Sequence, residues 1–222
     1  VGRFALLQAI VIVTCAAAVA RPALRGPLAL LSLLGIGGLL AYFGQTYQTG
    51  VDPWQLFALW SVLALPLALA ARSDIVWAPW ALVAMTAISL WTHAYTGHDW
   101  RFRPHDLGVH ALAFASAGAV VVGLGRKLQT FTGAGVWALR TATTLTVVMV
   151  TLAALGGLFD APVAPHYALG LGVLAGAAAF FARRRTFDVY GLSAVAFGLV
   201  SLLVAGLARW LWSFESGDRT GS

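Results

Sequence analysis

Apolar residues run along this chain in long continuous stretches, at about Phe4–Ala20, Leu28–Phe43, Trp54–Ala71, Ile75–Tyr95, Leu107–Gly125, Val136–Phe159, His166–Ala182 and Val189–Trp212. A helix rising about 1.5 Å per residue needs roughly twenty such residues to cross a hydrocarbon core about 30 Å thick. Each stretch therefore predicts a transmembrane α-helix. Together they predict an all-α, polytopic helical bundle of about eight spans, forming a single transmembrane domain over residues 1–222. The breaks carry charge or turn chemistry, as at Arg21-Pro22 to Gly26-Pro27, Gly50 to Pro53, Arg72-Ser73-Asp74 and Arg183 to Asp188. Most are short, so consecutive helices should be antiparallel neighbours. The absence of polar alternation within the runs argues against a transmembrane β-barrel.

Composition agrees with lipid as the solvent, since 60% of residues are hydrophobic and only 10% charged. The formal charge of +6 does not point to nucleic acid, because the fourteen Lys and Arg residues are scattered at the ends of apolar runs without a basic face. Their placement instead orients the spans. Arg21, Arg25, Arg72, Arg126, Lys127, Arg140, Arg183, Arg184 and Arg185 fall on one side; Arg3, Arg101, Arg103, Arg209 and Arg219 fall on the other. The positive-inside rule puts the larger set in the cytoplasm and both ends of the chain outside. Trp54, Trp91, Trp210 and Trp212 then lie near outer boundaries, and Trp77, Trp80 and Trp137 near inner ones, the depth that amphipathic indoles favour. Arg3 and the apolar stretch ending Ala18-Val19-Ala20 have the pattern of a secretory signal, but the segment reads as a retained span. The single cysteine, Cys15, can form no intrachain disulfide and is expected to be a packing residue.

Small residues at four-residue spacing, Ala168, Gly172 and Gly176 in the seventh span, Ala194 and Gly198 in the eighth and Ala113 and Ala117 in the fifth, predict close helix contacts. Pro66 removes a backbone hydrogen bond and predicts a bend in the third span. No residue-level similarity between the two halves of the chain indicates a duplicated transporter repeat.

Chemistry is concentrated at the predicted outer breaks. The segment Gly44-Gln45-Thr46-Tyr47-Gln48-Thr49-Gly50, followed by Asp52-Pro53-Trp54, offers amides, hydroxyls and a carboxylate; Gln45, Tyr47, Gln48 and Asp52 are candidates for binding a polar ligand. The same residue types also satisfy a helix end and interfacial water. With Arg3-Phe4-Ala5-Leu6-Leu7-Gln8, the continuation Gln55-Leu56-Phe57-Ala58-Leu59-Trp60 and Leu65-Pro66-Leu67 through Arg72-Ser73-Asp74, this segment resembles a family of predicted bacterial membrane proteins. That family is catalogued as domain of unknown function two-one-five-seven. The resemblance covers roughly the first ninety-five residues. It implies a cytoplasmic segment and a further helix ahead of Arg3 and a bacterial cytoplasmic membrane, and it implies no activity.

Four of the five histidines, His93, His98, His105 and His110, lie around the fourth break with Asp99 and Asp106 between them. Imidazole and carboxylate suit zinc and related ions, and two histidines on neighbouring helix ends suit haem, so these six residues are the candidate metal set. Their spacing matches no compact metal motif; solvated interfacial histidines are the plainer reading. His93 and His110 are expected to approach each other at adjacent helix ends. His166 opens the seventh span on the same side. The spans contain no central Asp, Glu or Lys, and Arg140, one turn into the sixth, is expected to snorkel to the headgroups. Signatures of phosphate-binding loops, zinc proteases, dithiol redox centres and nucleophile elbows are absent. The sequence thus leans away from an enzyme. It reads as a permease-like, ligand-binding or accessory component whose partners are the lipid bilayer and a small molecule or another membrane protein. The alternative is a metal- or haem-binding enzyme or redox component.

Overall fold

A computed structural model describes residues 2–47, 50, 52–97, 103–160 and 163–218. Among these are nine α-helices and no strand: α1 (Gly2–Ala20), α2 (Arg25–Tyr47), α3 (Pro53–Ala71), α4 (Asp74–Thr96), α5 (Leu107–Gly123), α6 (Gln129–Thr132), α7 (Val136–Phe159), α8 (His166–Ala182) and α9 (Val189–Asp218). Among the described residues, six helical stretches are long and apolar enough to cross a membrane: Pro22–Thr46, Pro53–Ala71, Asp74–Thr96, Pro104–Gly123, Val136–Phe159 and Val189–Ser213. The chain is a polytopic helical membrane protein. The expected first and seventh spans form apolar helices too, Phe4–Ala20 and His166–Ala182, but shorter ones. The 17 residues of α8 rise only about 25 Å, less than the hydrocarbon thickness.

Small side chains line much of the contact between helices, while many large ones face outward. Ala29, Ala64, Ala68, Ala81, Ala113, Ala117, Ala138, Ala142 and Ala154 are at most 1% exposed, whereas Leu6, Ile12, Val19, Leu152 and Phe197 are more than 60% exposed. Lipid solvates the large residues as well as a core would, so close backbone approach decides which face turns inward.

The chain forms two compact units, Val1–Ala94 with Ser116–Ala142, and Tyr95–Ala115 with Thr143–Ser222. In the first unit α1 packs on α2 and α2 on α3. Ser32 Oγ donates to Thr14 Oγ1 at 2.8 Å, and that hydroxyl donates to the Ile10 carbonyl at 2.8 Å. The Trp60 indole donates to the Leu33 carbonyl at 2.9 Å, and its ring fills the space a Cβ on Gly37 would need. α2 does not stop at Phe43 but runs on through Gly44-Gln45-Thr46-Tyr47. None of those side chains breaks a helix, and Gly50, at φ +63°, and Pro53, first residue of α3, make the turn. Pro66 is accommodated inside a continuous α3.

At the other end of this unit, three turns are locked together. Arg72 closes α3 in a left-handed conformation at φ +48° and donates from its guanidinium to the Thr130 carbonyl. Asp74, in the first turn of α4, accepts from the amides of Gly135 (3.0 Å), Trp137 (2.8 Å) and Ala138 (2.8 Å). Its carboxylate therefore caps α7 from across the unit, where the helix dipole favours negative charge. Trp77, expected as an interfacial anchor, is instead 2% exposed, because its indole N–H donates to the Thr132 carbonyl at 2.8 Å. Trp137 is 67% exposed, as an anchor should be.

In the second unit α8 packs on α9. The expected stripe Ala168, Gly172 and Gly176 faces outward, with nothing within 4 Å of a Cβ built on either glycine. The buried stripe of α8 is His166, Gly170 and Leu174, offset by two residues. Gly198 of α9 does pack as expected, with Thr151 Oγ1, Val147 and Leu174 at 2.8–3.1 Å from the position of a Cβ. The guanidinium of Arg209 donates to the carbonyls of Leu158 and, at 2.8 Å, Asp160, so a cation sits on the C-terminus of α7.

Candidate functional site

Pro104, His105 and Asp106 form one 3-10 turn, with Pro104 at its start, that leads directly into α5. The turn splits its two polar side chains. His105 is 71% exposed at its side chain, Asp106 only 5%, and His105 Nε2 lies 3.2 Å from Asp106 Oδ1. The other carboxylate oxygen, Oδ2, is buried without a hydrogen-bond partner among the described residues. One helical turn on, His110 Nδ1 is 3.1 Å from the Asp106 carbonyl, and its imidazole, 6% exposed, turns inward.

The imidazole packed against His110 is that of His166. The two ring centroids are 4.6 Å apart with planes at 82°, and the Phe114 ring lies edge-on to His110 at 6.1 Å. His166 opens α8 immediately after Pro165 and is 1% exposed. It fits because Gly157 of α7 has no side chain: a Cβ there would stand 2.8 Å from that of His166. Asp106 and Asp160 both lie within electrostatic reach of His166. Next to it, the Tyr167 hydroxyl donates to the Leu202 carbonyl at 3.0 Å, joining the base of α8 to α9.

Two more oxygens of this unit are buried without hydrogen-bond partners, Thr143 Oγ1 and Thr151 Oγ1 of α7. A helical threonine commonly bonds the carbonyl one turn back, as Thr86 and Thr92 do in α4. Thr143 and Thr151 leave that option unused. Unit two thus carries buried oxygens without hydrogen-bond partners among the described residues just ahead of α5 and at two positions along α7.

The candidate metal set is only partly gathered. His105, Asp106 and His110 come together, joined by His166, which the sequence placed on the same side but not in the set. His98 and Asp99 lie outside the described residues. His93 is exposed in the last turn of α4, in the first unit. Among the described residues no group of three or more His, Cys, Asp or Glu side chains is arranged to hold a metal ion. Of the polar-segment candidates, Gln45 is exposed near the end of α2, Tyr47 ends that helix, Asp52 is exposed just ahead of α3, and Gln48 lies outside the described residues. The missed signal was the position of His166, directly after a proline and at the same end of its span as His110.

What the Asp106–His110–His166 cluster presents is a buried carboxylate oxygen seeking a donor or cation, beside two imidazoles that can either donate or accept. Comparison with known proteins adds little to that chemistry: no curated protein and no solved structure matches the chain. The match that is found ends at α4, short of the ninety-five residues over which the sequence resembles the same family: residues 1–77 match the family described as a predicted membrane protein (DUF2157).

Proposed function

We propose that this protein is a permease-like, ligand-binding component of a bacterial cytoplasmic membrane, and that Asp106, His110 and His166 bind a small cationic or hydrogen-bond-donating solute at its outer side. The observation that carries this reading is Asp106 Oδ2, a buried carboxylate oxygen with no partner among the described residues. Leaving such a group unsatisfied in an apolar environment costs several kcal/mol for a charged oxygen. An ionisable residue buried within a membrane bundle marks a solute or ion route by default. The buried hydroxyls of Thr143 and Thr151 extend unsatisfied polarity along α7. The outward placement of the cluster follows from the charge asymmetry of the turns.

The test is uptake of methylammonium, sodium and potassium ions into proteoliposomes, comparing the native chain with Asp106→Asn, which keeps the shape and removes the charge. Uptake of one of these ions above that of protein-free vesicles, reduced about tenfold or more in Asp106→Asn, is expected. Equal uptake by the two proteins, or none above empty vesicles, overturns the proposal. Zinc and haem content of the same preparations tests the other reading of the histidines; stoichiometric metal lost on substituting both His105 and His110 by alanine would favour it.

A further inference from the structure

A separate feature lies in the first unit, at the end opposite the Gly50 turn. Three turns converge there. A Cβ on Gly26 would be 3.0 Å from Ser73 Oγ, and one on Gly133 would be 2.6 Å from the Cα of Arg72, so the breaks after α1, α3 and α5 are in contact. They bring Arg25, Arg72, Arg126, Lys127 and Arg140 to one end of the unit. The acidic residue within these turns is Asp74, whose carboxylate is directed onto the three amides that begin α7.

Beside the cations stand large apolar side chains with no core to enter. Phe131 is 70% exposed, Trp137 67%, Val136 55% and Leu128 43%. Leu128 and Phe131 lie in the break between the spans Pro104–Gly123 and Val136–Phe159, and Val136 and Trp137 open the second of these, hence headgroup depth. The Arg140 guanidinium lies 5.6 Å from the centre of the Trp137 ring, which holds a cation over an aromatic anchor. Exposed rings beside clustered cations are complementary in both respects to one occupant: a phospholipid with an anionic headgroup, its acyl chains against Phe131 and Trp137 and its phosphate towards Arg126, Lys127 and Arg140.

We infer that the Leu128–Arg140 corner of the first unit is a binding site for an anionic phospholipid. Purified full-length protein in nanodiscs of equal phosphatidylglycerol and phosphatidylcholine, analysed by native mass spectrometry, tests it. The native chain should retain phosphatidylglycerol over phosphatidylcholine. The double substitution Arg126→Gln, Lys127→Gln should lower that retention on the order of tenfold, since each cation near the surface contributes separately. Arg183→Gln with Arg184→Gln, in the basic turn of the second unit, should leave it unchanged. Phe131→Ser should weaken retention without altering its dependence on headgroup charge. Equal retention of the two lipids, equal loss from both double substitutions, or displacement of the lipid by millimolar inorganic phosphate alone would each overturn the site.

Discussion

Two residues act on elements other than their own, and each makes a prediction. Asp74 satisfies three amides that α7 leaves open at its start. Replacing it with alanine removes a charge-assisted cap and should destabilise the protein by about 2–4 kcal/mol, with asparagine retaining part of the effect. Denaturant titration in detergent micelles measures this, and an unchanged midpoint for Asp74→Ala would show the cap to be dispensable. Gly157 controls the candidate site in the same indirect way. Gly157→Ala should displace His166 against His110, altering the imidazole resonances of both in NMR spectra. Asp106 was visible in the sequence as a carboxylate among histidines. Its partnerless oxygen was not, because burial of one side chain of a 3-10 turn and exposure of the next depends on the helices around it. His166 illustrates the same limit: hydropathy places it at a helix start, but only the packing of α7 against α8 puts it on His110.

At the level of elements, helices were legible wherever length and hydropathy agree, and α7 and α8 begin and end at the residues that the apolar pattern predicts. The extension of α2 through Gly44–Tyr47 was hidden because glutamine, threonine and tyrosine suit a helix end and a loop equally well. Facing was hidden too. α8 carries two interleaved stripes of four-residue spacing, and in lipid both are tolerable outside, so composition alone does not choose between them. The choice is testable: Gly170→Leu, against Ala154, should cost about 1–3 kcal/mol through overpacking, whereas Gly172→Leu, facing outward, should be nearly neutral. Reversal of that order in thermal unfolding would mean that α8 is rotated. Arg209→Gln should increase hydrogen exchange in the last turn of α7 while leaving its first turns unaffected, because the guanidinium acts on the carbonyls of Leu158 and Asp160.

For the whole molecule, the charge asymmetry of the turns makes a topological prediction. In a Cys15→Ser background, single cysteines introduced at Val163 or His105 should react with a membrane-impermeant maleimide in intact cells, and those introduced at Lys127 or Arg184 should react only after lysis. The opposite pattern would place the Asp106 cluster on the cytoplasmic face. Membrane class and most helix positions could be read from the sequence because they depend on local hydropathy, whereas the grouping of the chain into two units depends on which helices approach closely. α7 is then more than one span among several. A carboxylate grips its amide end and a guanidinium its carbonyl end. Sliding it by one turn, about 5.4 Å, would break both grips together. The helix is therefore a mast, stayed at both ends against movement along its own axis.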